Sequence, residues 1–279
     1  MGAPPGLSVK DKIVSKVKQF KARNFIVPII VLVVWEIVAR YNLFPLWPSL
    51  ELVFGTAAGW IFGIKPVGGV EYYYLGAFSR DVIMSFYRVV VGYAIGGGLA
   101  VVLGIMNAWN DRLRNFTDPF IQIIRPIPRT AYLPFMLIIF GIGDLPAIML
   151  VVIGAFLMTY VEVLDGASLV QGRFKRAASM LGASRFQVLR KVILPGSLPS
   201  VFSGARVGLG YAWAMIVIAE KFGASFGLGH FLWTGYTFMR LDVVVAAMIF
   251  LGIFGFLTDS VLVGVKEWKI KWARELAVE

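Results

Sequence analysis

Cysteine is absent from this 279-residue chain, and histidine occurs once, as His230. Without thiols there are no disulfides and no thiolate metal sites. One imidazole cannot build a histidine-based metal cluster. Charge is scarce as well, at 15% of residues. No G-x4-G-K-[ST] segment is present, so the chain carries no phosphate-cradling loop and must leave ATP to another chain. No Ser/His/Asp set and no carboxylate constellation suited to a metal stands out either. These absences argue against an enzyme.

What the chain has in excess is apolar surface. Hydrophobic residues make up 58%, more than a water-soluble globule of this length can hide. The expected class is an all-α integral membrane protein. Six apolar segments approach spanning length, at residues 25–38, 82–106, 119–140, 145–164, 201–218 and 243–265. None shows the strict alternation of a barrel strand. A net charge of +11 would suit nucleic acid. The cations, however, lie between the apolar segments, where they act as a topology signal.

Lysine and arginine concentrate in four regions. They are the N-terminal segment (Lys10, Lys12, Lys16, Lys18, Lys21, Arg23), the second connection (Arg112, Arg114), the fourth connection (Arg173, Lys175, Arg176, Arg185, Arg190, Lys191) and the C-terminal tail (Lys266, Lys269, Lys271, Arg274). Six crossings bring these regions to one side. The other side holds only Arg40, Lys65, Arg80, Lys221 and Arg240. The bias makes the first side, with both termini, cytoplasmic. The chain then divides into a basic N-terminal segment at 1–24, a transmembrane domain at 25–265 with a polar cytoplasmic loop at 166–200, and a cytoplasmic tail at 266–279. The N-terminal segment is too long in its basic part for a cleavable signal. It reads equally as an amphipathic stretch on the membrane face and as a charged tail that only sets topology. The outer loop from 41 to 80 is broken by Pro45, Pro48, Pro66, Gly63, Gly68 and Gly69. Within it, residues 50–61 are expected to form an interfacial helix with Trp60 at headgroup level.

The most informative segment is RFKRAASMLGASRFQVLRKVILPGSLP, residues 173–199. Apolar positions Phe174, Ala177, Ala178, Leu181, Phe186, Leu189 and Val192 recur every three or four residues, which suits short amphipathic helices. Gly182 interrupts them, predicting a helix–turn–helix. Pro195 and Pro199 are expected to stop the helix before the next span. Small residues at Ala177, Ala178, Gly182 and Ala183 leave a low surface that a partner can approach. On spacing alone, an ordinary basic loop fits as well.

The segment resembles the cytoplasmic loop of ABC-importer permeases, which runs Glu-Ala-Ala, three residues, Gly, nine residues, an aliphatic, one residue, Leu-Pro. Ala177-Ala178, Gly182, Val192 and Leu194-Pro195 fall at those offsets. Arg176 stands where the family has glutamate. Residues 125–143 (RPIPRTAYLPFMLIIFGIG), 203–220 and 226–233 are similar to the nitrate/sulfonate/taurine/bicarbonate subgroup. The resemblance implies a type I, MetI-like permease fold. It implies that Arg176, Ala177, Ala178, Gly182, Ala183, Leu194 and Pro195 couple the chain to a partner ATPase. It further implies that ATP and Mg are bound by two partner subunits, none by this chain. A second permease copy and an extracytoplasmic binding protein would complete an importer of a small anion in a bacterial-type inner membrane. Another small solute, such as an aromatic acid, a thiamine precursor or methionine, is the alternative within the family. A carrier driven by an ion gradient and a membrane-embedded enzyme are the rivals outside it; the first usually shows internal repeats, and none is evident.

Some charged residues fall within apolar segments. Arg125 and Arg129 are four apart and expected on one helix face. With Tyr132 and Trp213 they are the candidate substrate path; the competing reading of the arginines is a membrane boundary or a lipid-phosphate contact. Pro126, Pro128 and Pro134 are expected to break this span, which is tolerated beside protein or a cavity. Glu36, Arg88, Arg206 and Glu220 are expected in structural ion pairs or at interfaces. Gly92, Gly96, Gly97, Gly98, Gly104, Gly204, Gly208 and Gly210 are expected to let spans pack tightly. The stretch from 222 to 240, with His230, is expected as an outer loop.

Overall fold

The computed structural model describes residues 26–64 and 74–270. The basic segment 1–24, Lys65, Pro66, Gly68, Gly69 and the tail from 271 lie outside the described residues, as do the side chains of Arg173 and Lys175. Among the described residues every regular element is helical: α1 (Ile26–Arg40), α2 (Leu50–Phe62), α3 (Phe78–Trp109), α4 (Asp111–Ile124), α5 (Tyr132–Phe140), α6 (Asp144–Met180), α7 (Arg185–Val188), α8 (Leu194–Gly223), α9 (Leu228–Thr237) and α10 (Leu241–Lys269). Four helices are long and apolar enough to cross a membrane, and the bent pair α4–α5 makes a fifth crossing if counted as one span. The fifteen described residues of α1 coincide with the first expected span.

The helix α6 is the axis of the fold. Of its most apolar stretch 61% is buried, against 33% for α3 and 22% for α10. In lipid no hydrophobic effect drives helices together, so close van der Waals contact must do so. Glycine supplies it. A Cβ on Gly92 would strike Val151, one on Gly96 the backbone carbonyl of Val152, and one on Gly104 the Val163 side chain. On α8, Gly204 and Gly208 meet Thr159 and its neighbours on α6 in the same way. These glycines seat α3 and α8 side by side on α6, both reaching Val163, within one subunit as expected. Gly98 and Gly210 face open space instead.

Four expectations are corrected. Trp60 is not displayed on the surface; it is fully buried, stacked on Phe231 at 3.8 Å, with its indole N–H donating to the Asp81 carboxylate inside the core. The 222–240 stretch is not only loop, since it contains α9, with His230 in its first turn. Pro195 and Pro199 do not stop the helix. Pro195 sits at the start of α8, where an amide donor is not required, and Pro199 is accommodated within it. A π turn at Leu189–Ile193 joins α7 to α8, so the helical path runs from Arg185 to Gly223. Finally, the span over 119–140 is broken as the prolines suggested, but by an 83° bend that separates α4 from α5.

The packing carries a prediction. Gly96→Leu must displace α6 backbone and is expected to cost at least the upper end of about 1–3 kcal/mol for overpacking. Gly98→Leu is expected to be tolerated. Thermal denaturation of the detergent-solubilised variants distinguishes the two.

Candidate functional site

At the α6–α7 end the chain makes a compact protrusion. The helix α6 outlives its apolar stretch and continues to Met180. Gly182 then takes φ +77°, the left-handed conformation that ends helices. The Ala183 amide donates to the Ala178 carbonyl at 3.0 Å and the Leu181 amide to Ala177 at 3.2 Å, which closes the helix end. Ser184 immediately starts α7: its hydroxyl accepts from the Gln187 amide, and the Gln187 side chain accepts from the Ser184 amide. A stop signal and a start signal two residues apart make this turn rigid.

Of the residues expected to couple, Arg176, Ala177, Gly182 and Leu194 are exposed, whereas Ala178, Ala183 and Pro195 are half-buried. Ala178 and Ala183 pack with Leu189 and Val192 onto a core of Leu157, Tyr160, Val188 and Ile193. Leu181 and Phe186, two of the apolar positions in the stripe, point outward. Leu181 is 88% exposed and Met180 86%, so the tip is an apolar knob. The reason is the turn at Gly182, which carries residues 180–182 beyond both helices. Two further contacts brace the knob. The Trp109 indole donates to the Arg185 carbonyl at 3.2 Å. Buried Asn107 donates to Thr117 and to the Tyr160 hydroxyl, which donates to Asp118, tying α3, α4 and α6 together. A pocket of about 490 Å³ lies between the α3–α4 corner and the knob, lined by Trp109, Arg112, Arg185 and Ile193 among others.

The four candidate path residues are not brought together as one face. Arg125 caps the end of α4 and is exposed. Arg129 lies beyond Pro126 and Pro128 in a single 3-10 turn, so the bend removes the shared helix face. Its guanidinium rests 4.7 Å from the centre of the Tyr211 ring, and one Nη donates to Met158 Sδ at 3.4 Å. Tyr132 is half-buried, and its hydroxyl donates to the Ile124 carbonyl across the bend. Trp213 is buried, donates to Thr258 at 3.0 Å and stacks with Phe254. Tyr211 and Met158 were not legible as partners of Arg129, because only the bend between the prolines makes them neighbours.

At the opposite end a charge cluster organises the fold. Arg88 is 1% exposed. It donates to Glu220 at 2.6 Å, to Asp144 at 2.6 and 2.8 Å, and to the Phe226 carbonyl at 2.7 Å. The Ser85 hydroxyl donates to Glu220 and accepts from the Leu228 amide. The Gly229 amide donates to Glu220 and the Gly227 amide to Asp81. Gly227 has φ +143°, and a Cβ there would collide with the Glu220 carboxylate. Three successive backbone amides at the entry to α9 are thus held by side chains of α3 and α8. Pairing was expected for Arg88 and Glu220, but Asp144 and the α9 amides were not foreseen. Glu36 pairs with Arg40 and Arg206 with Asp259, as expected. Arg240 at the α10 cap pairs with Asp242, whose hydrogen bonds raise the arginine pKa, and Asp242 accepts from Thr56 of α2.

Residues 96–268 match the family model described as "Binding-protein-dependent transport system inner membrane component". The taurine transport system permease protein TauC of Escherichia coli is 36% identical, over 71% of this chain and 69% of that protein. The nitrate import permease protein NrtB of Synechocystis is 29% identical, over 64% and 65%. Among solved structures, a chain from inward-facing crystals of the MetNI methionine ABC transporter superposes with a TM-score of 0.53 at 23% identity, covering 68% of this chain and 92% of that one.

Removing one partner of a buried ion pair strands the other charge, at about 3–5 kcal/mol. Arg88→Met is therefore expected to lower the unfolding midpoint sharply. Adding Glu220→Gln to Arg88→Met is expected to recover part of the loss, and a thermal melt of the single and double variants measures this coupling.

Proposed function

Because this chain belongs to the family of inner-membrane components of binding-protein-dependent transport systems, and is the permease component of an ABC importer, we propose that it carries a small oxyanion of the sulfonate, nitrate or bicarbonate type. The permease is not itself an ATPase; it works with ATP-hydrolysing subunits. In our reading two such subunits, binding ATP and Mg, dock at the 176–195 segment on the cytoplasmic face. A second copy of the chain and an extracytoplasmic binding protein complete the transporter.

The observation that carries the coupling assignment is the rigid apolar knob at Met180, Leu181 and Gly182, with Phe186 beside it. A knob held by two helix caps transmits force, whereas a slack loop absorbs it. Its exposed apolar tip matches a groove on a partner rather than solvent. Arg176 adds a cation at its base where relatives of the family carry an acid, so the ion pair made there differs. Closure of the ATPases on ATP would move the knob, and with it α6 and α8, switching the access of the path. The oxyanion assignment is supported by the relatives named for taurine and nitrate and by Arg129 in the broken span. The path runs past Arg129 and Tyr132, with Arg125 at its mouth and Trp213 as packing behind its wall.

The knob is testable in proteoliposomes holding the whole importer. Gly182→Glu forces a side chain into the left-handed backbone conformation, which costs about 1–2 kcal/mol, and puts a charge on the docking tip. Uptake is expected to fall about tenfold or more while ATP hydrolysis by the partner continues, since 1.4 kcal/mol is tenfold. Import at the wild-type rate by an assembled Gly182→Glu complex would defeat the assignment.

A further inference from the structure

A cation at mid-membrane depth needs an anionic or hydrogen-bonding partner, because leaving it bare in hydrocarbon is costly. The spans hold several arginines, and most are matched. Arg88 has Glu220 and Asp144, and Arg206 has Asp259. Arg129 differs. Among the described residues it has no ion-pair partner, and its buried Nε has no acceptor. Its contacts are a ring face and a thioether, Tyr211 and Met158. Neither can accept a strong hydrogen bond from a guanidinium.

Its depth is set by those neighbours. Met158 stands roughly 21 Å along α6 from Asp144 and roughly 18 Å from Val170, at 1.5 Å per residue. Arg129 therefore packs against the central part of this apolar helix rather than its end, which favours the path over a membrane-edge or lipid-phosphate contact. Tyr211 borders the open strip of α8 formed by Ser203, Val207, Gly210 and Ala214, all exposed and mostly small. A Cβ on Gly210 would meet nothing within 4 Å. The guanidinium is thus half-buried beside an unfilled lane along α8.

We infer that Arg129 is an oxyanion subsite of the transport path: Tyr211 and Met158 hold the guanidinium in place, and a turn of its flexible side chain brings the unpartnered, buried Nε–H to a passing sulfonate, nitrate or bicarbonate. Arginine's planar fork suits two oxygens of such a group. The aromatic face steadies the cation without neutralising it. A carboxylate in place of Met158 or Tyr211 would quench the charge, and a soft partner leaves it available. The site binds only weakly, as passage requires release as well as entry. This inference rests on the oxyanion reading proposed above.

The absence of cysteine provides a clean test. In the complete importer, Arg129→Cys gives this subunit one thiol. Uptake of taurine, nitrate and bicarbonate into proteoliposomes is measured before and after reaction with aminoethyl methanethiosulfonate, which restores a positive charge, or methyl methanethiosulfonate, which does not. Mass spectrometry verifies complete labelling, and wild type treated in parallel accounts for partner thiols. Arg129→Cys is expected to slow uptake about tenfold or more, the scale of a lost charged hydrogen bond. The aminoethyl adduct should regain most of it and the methyl adduct none. Wild-type uptake by Arg129→Cys, or equal rates for the two adducts, overturns the subsite and leaves the oxyanion reading standing. A wild-type importer that moves none of the three anions overturns the oxyanion reading itself.

Discussion

A buried guanidinium must satisfy its donors within the protein, and in this fold that requirement falls on Arg88. Its partners come from the ends of three other elements: Asp144 begins α6, Glu220 closes α8, and Phe226 leads into α9. The guanidinium itself is almost wholly out of contact with the surface, so these groups must supply its hydrogen bonds. The ends of these elements must therefore meet at one point, which fixes how far α6 and α8 slide along α3. The same cluster recruits the Gly227, Leu228 and Gly229 amides, so the position of α9 is set by side chains on α3 and α8 rather than by its own short helix. Ion pairs of this kind add little net stability over a well-packed apolar core, but they penalise every misaligned arrangement.

Glycine does the complementary work along the rest of the helices. Arg88 sets the register at one end, and the close approaches at Gly92, Gly96 and Gly104 keep α3 against α6 for its remaining length. Gly204 and Gly208 do so for α8. The Asn107–Tyr160–Asp118 hydrogen bonds finish the other end of the same three-helix unit. Polar contacts at both ends and small residues between them give a closely packed block. What the block carries at its free end is the knob, and what flanks it is the broken α4–α5 segment with Arg129.

Much of this was readable beforehand, and the failures have physical causes. Class, helical character and the helix–turn–helix around Gly182 follow from apolar run length, charge placement and the spacing of that segment. The break in the third span follows from Pro126 and Pro128. The identity of contacting residues across helices did not follow, because it depends on register. Nothing in the spacing announces Asp144 as a partner of Arg88 56 residues away, or Glu220 as a partner of Ser85 135 residues away. Prolines misled at 195 and 199, because a helix start tolerates the missing donor and a π turn rearranges the one before it. Arg129 was singled out by type and location, but its lack of an ionic partner is a property of the folded state alone.

The uninterrupted helical path from Arg185 to Gly223 has a mechanical meaning. At 1.5 Å per residue its 39 residues make a strut of roughly 58 Å. Its near end adjoins the apolar knob, and its far end holds Glu220, the residue on which Arg88 and the α9 amides converge. A strut pivoting about a fulcrum needs no chain of intermediate hinges. Glu220 lies roughly 18–24 Å beyond Gly204 and Gly208, so a tilt of about 5° there moves it by roughly 2 Å, enough to lengthen hydrogen bonds of 2.6–2.8 Å at Glu220 past their bonding range. The tight glycine seats against α6 lie between the two tips and supply the fulcrum, so leverage, rather than a relay of small side-chain shifts, connects the two faces of the membrane.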